Sequence, residues 1–169
     1  MSGASTDVAE QWATRAGDFG VEVTWTAPGE ATDAIAALVD EPAVGAPLLW
    51  DDVSLPETVQ TDPTPAALDA ATTGVTAADL AVAEYGSLLL RQTPDGREPA
   101  SLFPDLHVAV LREDDVVPDM AAAFDWLGDE FRETRDSAIL ATGPSATADM
   151  GALVKGAHGP KAVHVVVIR

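Results

Sequence analysis

The sequence predicts an α/β sandwich built around a largely parallel sheet. Segments with helical spacing of apolar side chains alternate along the chain with short β-type runs. The length of 169 residues suits one domain that covers residues 1–169. Because 47% of the residues are hydrophobic, the chain can bury a core of its own, which argues against intrinsic disorder.

The first forty residues alternate between helix and strand. Ser5 or Thr6 is placed to cap a helix that runs to about Ala16, and we expect this N-terminal segment of some 20 residues to pack on the domain. Residues 21–26 alternate between apolar and polar side chains and are predicted as a strand. Residues 30–39 are predicted as a helix, because their apolar side chains recur at intervals of three and four.

The middle of the chain is predicted as a strand, an exposed connection, a helix and a second strand. Residues 48–50 suit a short buried strand, and the prolines within 51–71 indicate a connection with one short helix. Thr76 is placed to cap a helix of about two turns, which Gly86 ends. Residues 87–92 are predicted as the strand that follows.

The same alternation continues to the C-terminus. Residues 94–96, Pro-Asp-Gly, are a turn signal, and we expect the acidic segment 93–99 to be its exposed tip. Pro118 precedes a predicted helix over 120–131, and a short helix is expected over 147–153. Strands are predicted at three places, which are 107–112, 138–141 and 163–168.

Acidic residues dominate the charge of the chain. There are 28 Asp and Glu residues against nine Lys and Arg residues, which gives a formal net charge of −19 and a pI near 4.1. Because each phosphate contact needs a cation, this composition excludes nucleic acid and anionic membranes as main partners. Concentrated salt screens the repulsion between the acids, so we expect a protein adapted to the cytoplasm of a halophile.

Cysteine is absent from the sequence. The chain therefore has no disulfide and no thiolate nucleophile, and it lacks the ligands of a conventional iron–sulfur cluster. Its three histidines have no close spacing that predicts a zinc site, so we expect neither a metal nor a cofactor. We find no apolar stretch that suits a membrane span or a signal peptide, and we expect a cytoplasmic location.

The last 33 residues differ in charge from the rest of the chain. Residues 1–136 contain 27 acidic and 6 basic side chains, whereas the last 33 contain one acid and three cations. Burial explains why the apolar residues 163–168 contain no acid. It does not account for residues 142–160, which are rich in Gly, Ser and Thr, so we interpret this stretch as a binding site for an anion.

Residues 142–147, Thr-Gly-Pro-Ser-Ala-Thr, lie between a predicted strand and a predicted helix. In open α/β sheets, ligands bind beyond the carboxyl ends of strands, and helix N-termini favour anions. Thr142, Ser145 and Thr147 offer hydroxyls there, and Gly143 allows the backbone to approach a ligand. We expect them to bind a small carboxylate or phosphate. The alternative is an ordinary turn in which a hydroxyl only caps the helix.

His158 and Lys155 lie in the segment Lys-Gly-Ala-His-Gly-Pro that follows. Because His158 stands between small residues in a turn, we expect its ring near a surface, where imidazole can act as an acid, a base or a donor. Stabilisation of the turn is the alternative. Lys155 is one of two lysines, which makes it either an anion ligand or an ordinary surface lysine. His107 and His164 lie inside β-type runs and are interpreted as structural.

Glu84 is a candidate for catalysis. It lies between a predicted apolar helix and the strand over 87–92, where a carboxylate is costly unless it is paired or functional. Burial would raise its pKa and suit it to acid–base or nucleophilic chemistry. Capping of the helix end is the alternative.

Three segments of the chain together resemble the LUD-domain family of lactate utilization protein C. These are residues 74–88 with Glu-Tyr-Gly-Ser, residues 106–110 with Leu-His-Val-Ala-Val, and residues 142–160 with Gly-Pro-Ser and His-Gly-Pro. The resemblance implies a Rossmann-like layered fold with helices on both faces of a mostly parallel sheet, similar to glucosamine-phosphate deaminases, ribose-phosphate isomerases and CoA transferases. It also implies a role in L-lactate oxidation beside iron–sulfur partner proteins.

Two functions are compatible with these residues. The first is an accessory subunit of an L-lactate or other 2-hydroxy acid utilization system, which binds a small anion and contacts iron–sulfur subunits. The second is an enzyme of transferase or isomerase type, with Glu84 as nucleophile or base, Ser145 holding an anion and His158 assisting. Fold analogy is weak support for the second, so we favour the first. The sequence leaves the oligomeric state open, including a homo-oligomer.

Overall fold

The structure is a computed structural model that describes residues 2–134, 136–148 and 151–169. In this part of the chain the helices are α1 (Ser2–Asp18), α2 (Ala31–Ala36), α3 (Pro65–Ala70), α4 (Arg97–Leu102) and α5 (Met120–Thr134). The strands are β1 (Glu22–Thr26), β2 (Ala43–Gly45), β3 (Val59–Thr61), β4 (Thr73–Ala77), β5 (Leu80–Val82), β6 (Ser87–Arg91), β7 (Leu106–Arg112), β8 (Val116–Val117), β9 (Ala138–Ala141), β10 (Ala146–Thr147), β11 (Val154–Lys155) and β12 (Ala162–Ile168).

The main sheet has six strands in the order β1-β12-β7-β4-β2-β3, and all of its neighbours run parallel. At its centre, Val163 of β12 is in register with His107 of β7. Because the strands are parallel, their amino ends meet at one edge of the sheet. The prediction of an α/β fold with a mostly parallel sheet is confirmed.

A smaller sheet packs beside the main one, with strand order β8-β5-β6-β9. Its central strand β6 is antiparallel to both β5 and β9. Strands β10 and β11 form a separate antiparallel hairpin. The second sheet is therefore mostly antiparallel, with β5 and β8 as its parallel pair, and among the described residues its strands do not pair with those of the main sheet.

The core lies on both faces of the main sheet, because successive side chains of a strand point to opposite faces. On β12, Val165 and Val167 pack in a cluster with Trp12 of α1 and residues of the second sheet. Val166 and Ile168 face the other way and pack with residues of α2. Burial on two faces explains why β12 reads as a continuous apolar run.

Helix α4 lies close against β4. A Cβ placed on Gly74 of β4 would come within 1.8 Å of the Ala100 carbonyl oxygen of α4, so only glycine allows this approach. The carboxylate of Asp79, just after β4, is paired with Arg97 in the first turn of α4. These contacts hold α4 along β4, with its first turn at the carboxyl end of the strand and Ala100 beside the amino end.

The prediction of a helix that begins near Thr76 is wrong. Thr76 belongs to β4, and the chain continues into β5, so that the residues from 73 to 83 are buried. Such a run is apolar on all sides, and the helical and strand periodicities cannot then be told apart from the sequence. Pairing with β2 and β7, which lie far away in sequence, decides for a strand.

The prediction of a helix over 147–153 is also wrong where the structure describes it. Residues 146–147 and 154–155 pair as the β10–β11 hairpin, and residues 149 and 150 lie outside the described residues. The predicted turn over 94–96 forms, and Pro94 and Asp95 are exposed. Residues 97–99, the rest of the expected tip, instead begin α4, where Arg97 is buried. No strand forms over 48–50, and the strand nearby is β2.

The N-terminal helix begins earlier than predicted. Ser5 and Thr6 lie inside α1, which starts at Ser2, so they are not its caps. Ser5 instead donates a hydrogen bond to Asp114, 3.1 Å away. The helix predicted over 30–39 is shorter and follows a 3-10 turn at Pro28–Glu30. The strands predicted over 21–26, 87–92, 107–112, 138–141 and 163–168 are confirmed, as is the helix after Pro118.

Candidate functional site

A cavity of about 200 Å³ lies where the amino ends of the central parallel strands meet the second sheet. His107 and Val163, the second residues of β7 and β12, line it from the main sheet. Leu88 of β6 and Ile139 of β9 line it from the second sheet. The expectation of a site at the carboxyl ends of parallel strands is therefore wrong for this cavity, which lies at their amino ends. The segment 142–147, on which that expectation rested, follows β9, and β9 is an antiparallel edge strand of the second sheet.

Two turns from the C-terminal part of the chain form the rim of the cavity. Ser145 and His158 both line it, although they are 13 positions apart in sequence. The backbone N–H of His158 donates to Ser145 Oγ across 3.3 Å, and the N–H of Ser145 donates to the carbonyl of Pro160 across 2.9 Å. The N–H of Gly156 donates to the Ser145 carbonyl. These bonds bring two of the predicted site residues together.

Gly143 lies on the same rim in a conformation that favours glycine. Its φ is +69°, and a Cβ there would lie 2.9 Å from Cβ of Phe19. The close approach that the sequence suggested is therefore made to the residue that follows α1. This contact fixes the position of the chain between β9 and Ser145.

The buried end of the cavity carries two polar side chains, His107 and Ser101. They are 3% and 2% exposed. His107 Nε2 lies 2.9 Å from Oγ1 of Thr76, and burial lowers the pKa of His107 to about 4. The hydroxyl of Ser101, on α4, donates to the Glu98 carbonyl across 2.7 Å.

Neither of these two residues was predicted from the sequence to contact a ligand. The buried, structural role expected of His107 agrees with its bond to Thr76, but the side chain also faces the cavity. The one signal in the sequence was a histidine at the amino end of an otherwise apolar strand. Ser101 gave no signal, because the helix that carries it was not predicted.

The lining of the cavity is mostly apolar and carries no Asp, Glu, Lys or Arg among the residues that the structure describes. Its polar groups are hydroxyls, imidazoles, backbone groups and the indole N–H of Trp12, which donates to the Ser87 carbonyl. Such a space suits a small molecule that has an apolar part and a few hydrogen-bonding groups. Over the described ranges, no group of three or more His, Asp or Glu side chains could hold a metal ion.

Thr142, Thr147 and Lys155 do not line the cavity. Thr142 Oγ1 lies 2.6 Å from Oγ of Ser87, which ties β9 to β6. Thr147 and Lys155 lie on the β10–β11 hairpin, and the Lys155 side chain is exposed. Of the residues predicted to bind an anion, the structure places only Gly143 and Ser145 on the cavity.

Glu84 lies elsewhere, in the exposed turn between β5 and β6. The expectation that it is buried is wrong, because β5 and β6 form a hairpin whose turn reaches the surface. Its side chain borders a shallow depression together with Thr14 and Arg15 of α1. Any chemistry of Glu84 would therefore take place outside the cavity that holds Ser145 and His158.

No helix among residues 2–134, 136–148 and 151–169 is both long enough and apolar enough to cross a bilayer.

The positive charge that the sequence places in the last 33 residues is reduced by local ion pairs. Lys161, for example, donates to Asp105 across 2.8 Å. The cations of the C-terminal part are thus only partly available to a ligand.

Comparison with known proteins agrees with this architecture. Lactate utilization protein C of Deinococcus radiodurans is 31% identical over 172 residues, which cover 96% of this chain and 80% of that protein. Lactate utilization protein C of Bacillus subtilis is 31% identical over 134 residues, or 76% of this chain, and the match spans 53% of its own length. The crystal structure of a DUF162 family protein from Deinococcus radiodurans is similar with a TM-score of 0.76, at 26% identity and 98% coverage of both chains.

Residues 59–168 match the LUD domain. That range includes β3 to β12, so it contains the whole second sheet and four of the six strands of the main sheet, but not β1 and β2. It also contains every residue that lines the cavity except Trp12 and Val21. The three segments on which the resemblance in the sequence rested all lie within this range. The chain therefore belongs to the LUD-domain family.

Proposed function

We propose that this chain is an accessory subunit of an L-lactate or related 2-hydroxy acid utilization system, and that it binds a small monocarboxylate in its cavity. The names of its relatives support the first part, since lactate utilization protein C of Deinococcus radiodurans covers 96% of the chain. The observation that carries the second part is the cavity itself, which joins Ser145 and His158 on one rim above an apolar interior.

The lining of the cavity favours a carboxylate over a phosphate. A phosphate dianion is usually bound by Arg, Lys or several backbone N–H groups, and no Lys or Arg of the described chain lines this cavity. A carboxylate with one charge needs fewer donors, and the Ser145 hydroxyl can supply one of them. Phosphate, the other anion expected from the sequence, is therefore the weaker candidate.

The size of the cavity suits an acid such as lactate or pyruvate. An engineered apolar cavity of about 150 Å³ holds benzene, which has about six non-hydrogen atoms. The cavity of this chain has about 200 Å³. A three-carbon acid of similar atom count fits with little room to spare for a second molecule.

An accessory role also needs a surface that meets other proteins. Leu140 and Phe19, beside the rim, are 44% and 43% exposed. Leu140 lies in the part of the chain after residue 136, which contains one acid. Since the chain has no cysteine, any iron–sulfur cluster of the system would be held by a partner. We therefore propose that iron–sulfur subunits contact this side of the molecule.

The ligand is tested by calorimetry with L-lactate, pyruvate and inorganic phosphate in concentrated KCl. We expect one of the two acids to bind and phosphate not to bind. The variant Ser145→Ala should weaken the acid about tenfold, the effect of one hydrogen bond to a charged group. Ser54→Ala, at an exposed position outside the cavity, is the matched control. Unchanged affinity in Ser145→Ala, or binding of phosphate alone, would contradict the proposal.

The partners are tested by affinity capture. The tagged full-length chain is incubated in concentrated KCl with purified iron–sulfur proteins encoded beside its gene. We expect a stable complex that Leu140→Ser weakens and that Leu49→Ser, an exposed leucine in the N-terminal half, leaves intact. A chain that elutes alone from such a mixture on a sizing column would contradict an accessory role.

A further inference from the structure

We infer that the closed end of the cavity, formed by His107 and Ser101, accepts an uncharged hydrogen-bonding group of the ligand, while the carboxylate of the ligand stays at the rim beside Ser145 and His158. The inference rests on the proposed function of the same cavity. It adds the orientation of the ligand and the two residues that select its uncharged hydrogen-bonding group.

The polar groups of the cavity differ in their access to water. Ser101 and His107 are almost fully buried, at 2% and 3% exposure. Ser145 is half-buried and His158 is exposed. The cavity therefore has an open end and a closed end, and the rest of its lining, which includes Leu88 and Val163, is mostly apolar.

A carboxylate at the closed end would lack a counter-ion. Burial keeps His107 neutral at physiological pH, since its pKa is lowered to about 4. The nearest cation along α4 is Arg97, but its guanidinium is already bonded to Asp79 at 2.8 and 2.9 Å. An unpaired charge in such surroundings costs several kcal/mol, so the charged group of the ligand stays where water and the rim can solvate it.

A hydroxyl or a carbonyl matches the closed end. Because the Ser101 hydroxyl donates its hydrogen to Glu98, its oxygen is left as an acceptor. Among the described residues, Nε2 of His107 is hydrogen-bonded to Oγ1 of Thr76, which leaves Nδ1 of the same ring for a ligand. A ligand hydroxyl can donate to Ser101 Oγ, and a ligand oxygen can accept from Nδ1 when that nitrogen carries the proton.

The inference is tested with three acids of similar size, L-lactate, propionate and malonate. Propionate lacks the oxygen on the middle carbon, and malonate carries a second carboxylate. For the unchanged chain we expect lactate to bind about tenfold tighter than propionate, the effect of one buried hydrogen bond. We expect malonate to bind at least about a hundredfold more weakly than lactate, because one of its charges would enter the closed end.

Variants at the closed end distinguish a specific loss of the preference for lactate from a general loss of binding. Ser101→Ala should bring the affinity for lactate down to that for propionate while the affinity for propionate changes less than about twofold. His107→Gln should likewise reduce the ratio of the affinity for lactate to the affinity for propionate. His164→Gln is the matched control, because His164 bonds to Thr24 on β1 and does not line the cavity.

The possible results are distinguishable. Equal binding of lactate, propionate and malonate to the unchanged chain would overturn the orientation and leave the proposed carboxylate site standing. A lactate-to-propionate ratio that Ser101→Ala and His107→Gln leave intact would overturn the role of these two residues. Absence of binding by all three acids would overturn the inference, and if pyruvate also failed to bind, the proposed function would be overturned with it.

Discussion

Both carboxylate oxygens of Asp79 accept hydrogen bonds from Nη1 of Arg97, at 2.9 and 2.8 Å, and both side chains are buried. The pair joins the end of β4 to the first turn of α4, the helix that carries Ser101. Asp79 also accepts the backbone N–H of Arg91 across 2.9 Å. A cation and a backbone amide therefore supply hydrogen bonds to both oxygens of this buried carboxylate.

Arg97→Met should destabilise the fold by about 3–5 kcal/mol, since it leaves the Asp79 charge buried without its cation. The free energy of unfolding is measured by urea titration in concentrated KCl. Arg132→Met is the matched control, because Arg132 pairs with Asp129 on the exposed surface of α5 and its loss should matter much less. Equal losses in the two variants would show that the buried pair has no special weight.

Gly143→Ala should destabilise the fold by about 1–3 kcal/mol. The added Cβ would be held at a φ of +69° and would lie 2.9 Å from Phe19, so both strain and overlap oppose it. Gly128→Ala is the control, since a Cβ there meets nothing within 4 Å and Gly128 lies in α5. That substitution should instead stabilise by about 0.5–1 kcal/mol. Thermal unfolding of the two variants checks the opposite signs.

The stability of the fold should fall as the pH drops from about 6.5 to about 4 because of His107. Its pKa is about 4 in the folded chain against the ordinary 6.5, so the unfolded chain binds the proton over that range and the folded chain does not. Stability therefore rises with pH across this window, by about 3 kcal/mol in total.

Urea titrations at several pH values check the sign against variants. His107→Gln removes the titrating group, so the difference in unfolding free energy between the original chain and this variant should change with pH between 4 and 6.5. His164→Gln retains His107 and should keep the original slope. A constant difference between His107→Gln and the original chain would contradict the effect of burial.

The melting temperature should rise between 0.1 M and 2 M KCl. The net charge of −19 produces repulsion that salt screens, and the screening length falls to about 3 Å at 1 M. Scanning calorimetry over a KCl series measures the rise. Sucrose at matched osmolality is the control for effects unrelated to charge. A melting temperature that KCl leaves unchanged would count against adaptation to salt.

Glu84→Gln should leave the affinity for lactate unchanged, because Glu84 lies in the turn between β5 and β6 and does not line the cavity. The same variant tests the enzymatic alternative. If the chain transferred acyl groups between CoA and a carboxylate with Glu84 as nucleophile, an assay with acyl-CoA and an acceptor acid would show turnover that Glu84→Gln abolishes. We expect no turnover in either chain.

The elements that the sequence predicted well are those with one clear pattern. β12 is a long apolar run bounded by turn residues, and α5 follows a proline and carries helical spacing. Within α5, however, the side chain of Ala123 is buried, whereas the large apolar side chain of Phe124 beside it is 64% exposed. The spacing indicated the helix, but a neighbouring side chain faces the core.

The candidate site was predicted in part. The turns that hold Ser145 and His158 stood out because they lack acids in an acidic chain, and the structure brings them together. The closed end was missed, because Ser101 and His107 meet only through the packing of α4 on β7 and β4. No local pattern of residues reports that contact.

By itself, the sequence determined the α/β class, the acidic surface and the two turns at the rim, because composition and short-range periodicity are properties of neighbouring residues. The tertiary structure alone decided that residues 73–83 form strands and that the cavity lies at the amino ends of the sheet. A β-strand takes its hydrogen bonds from segments that are distant in sequence, and a segment buried on all sides has no periodicity to reveal them.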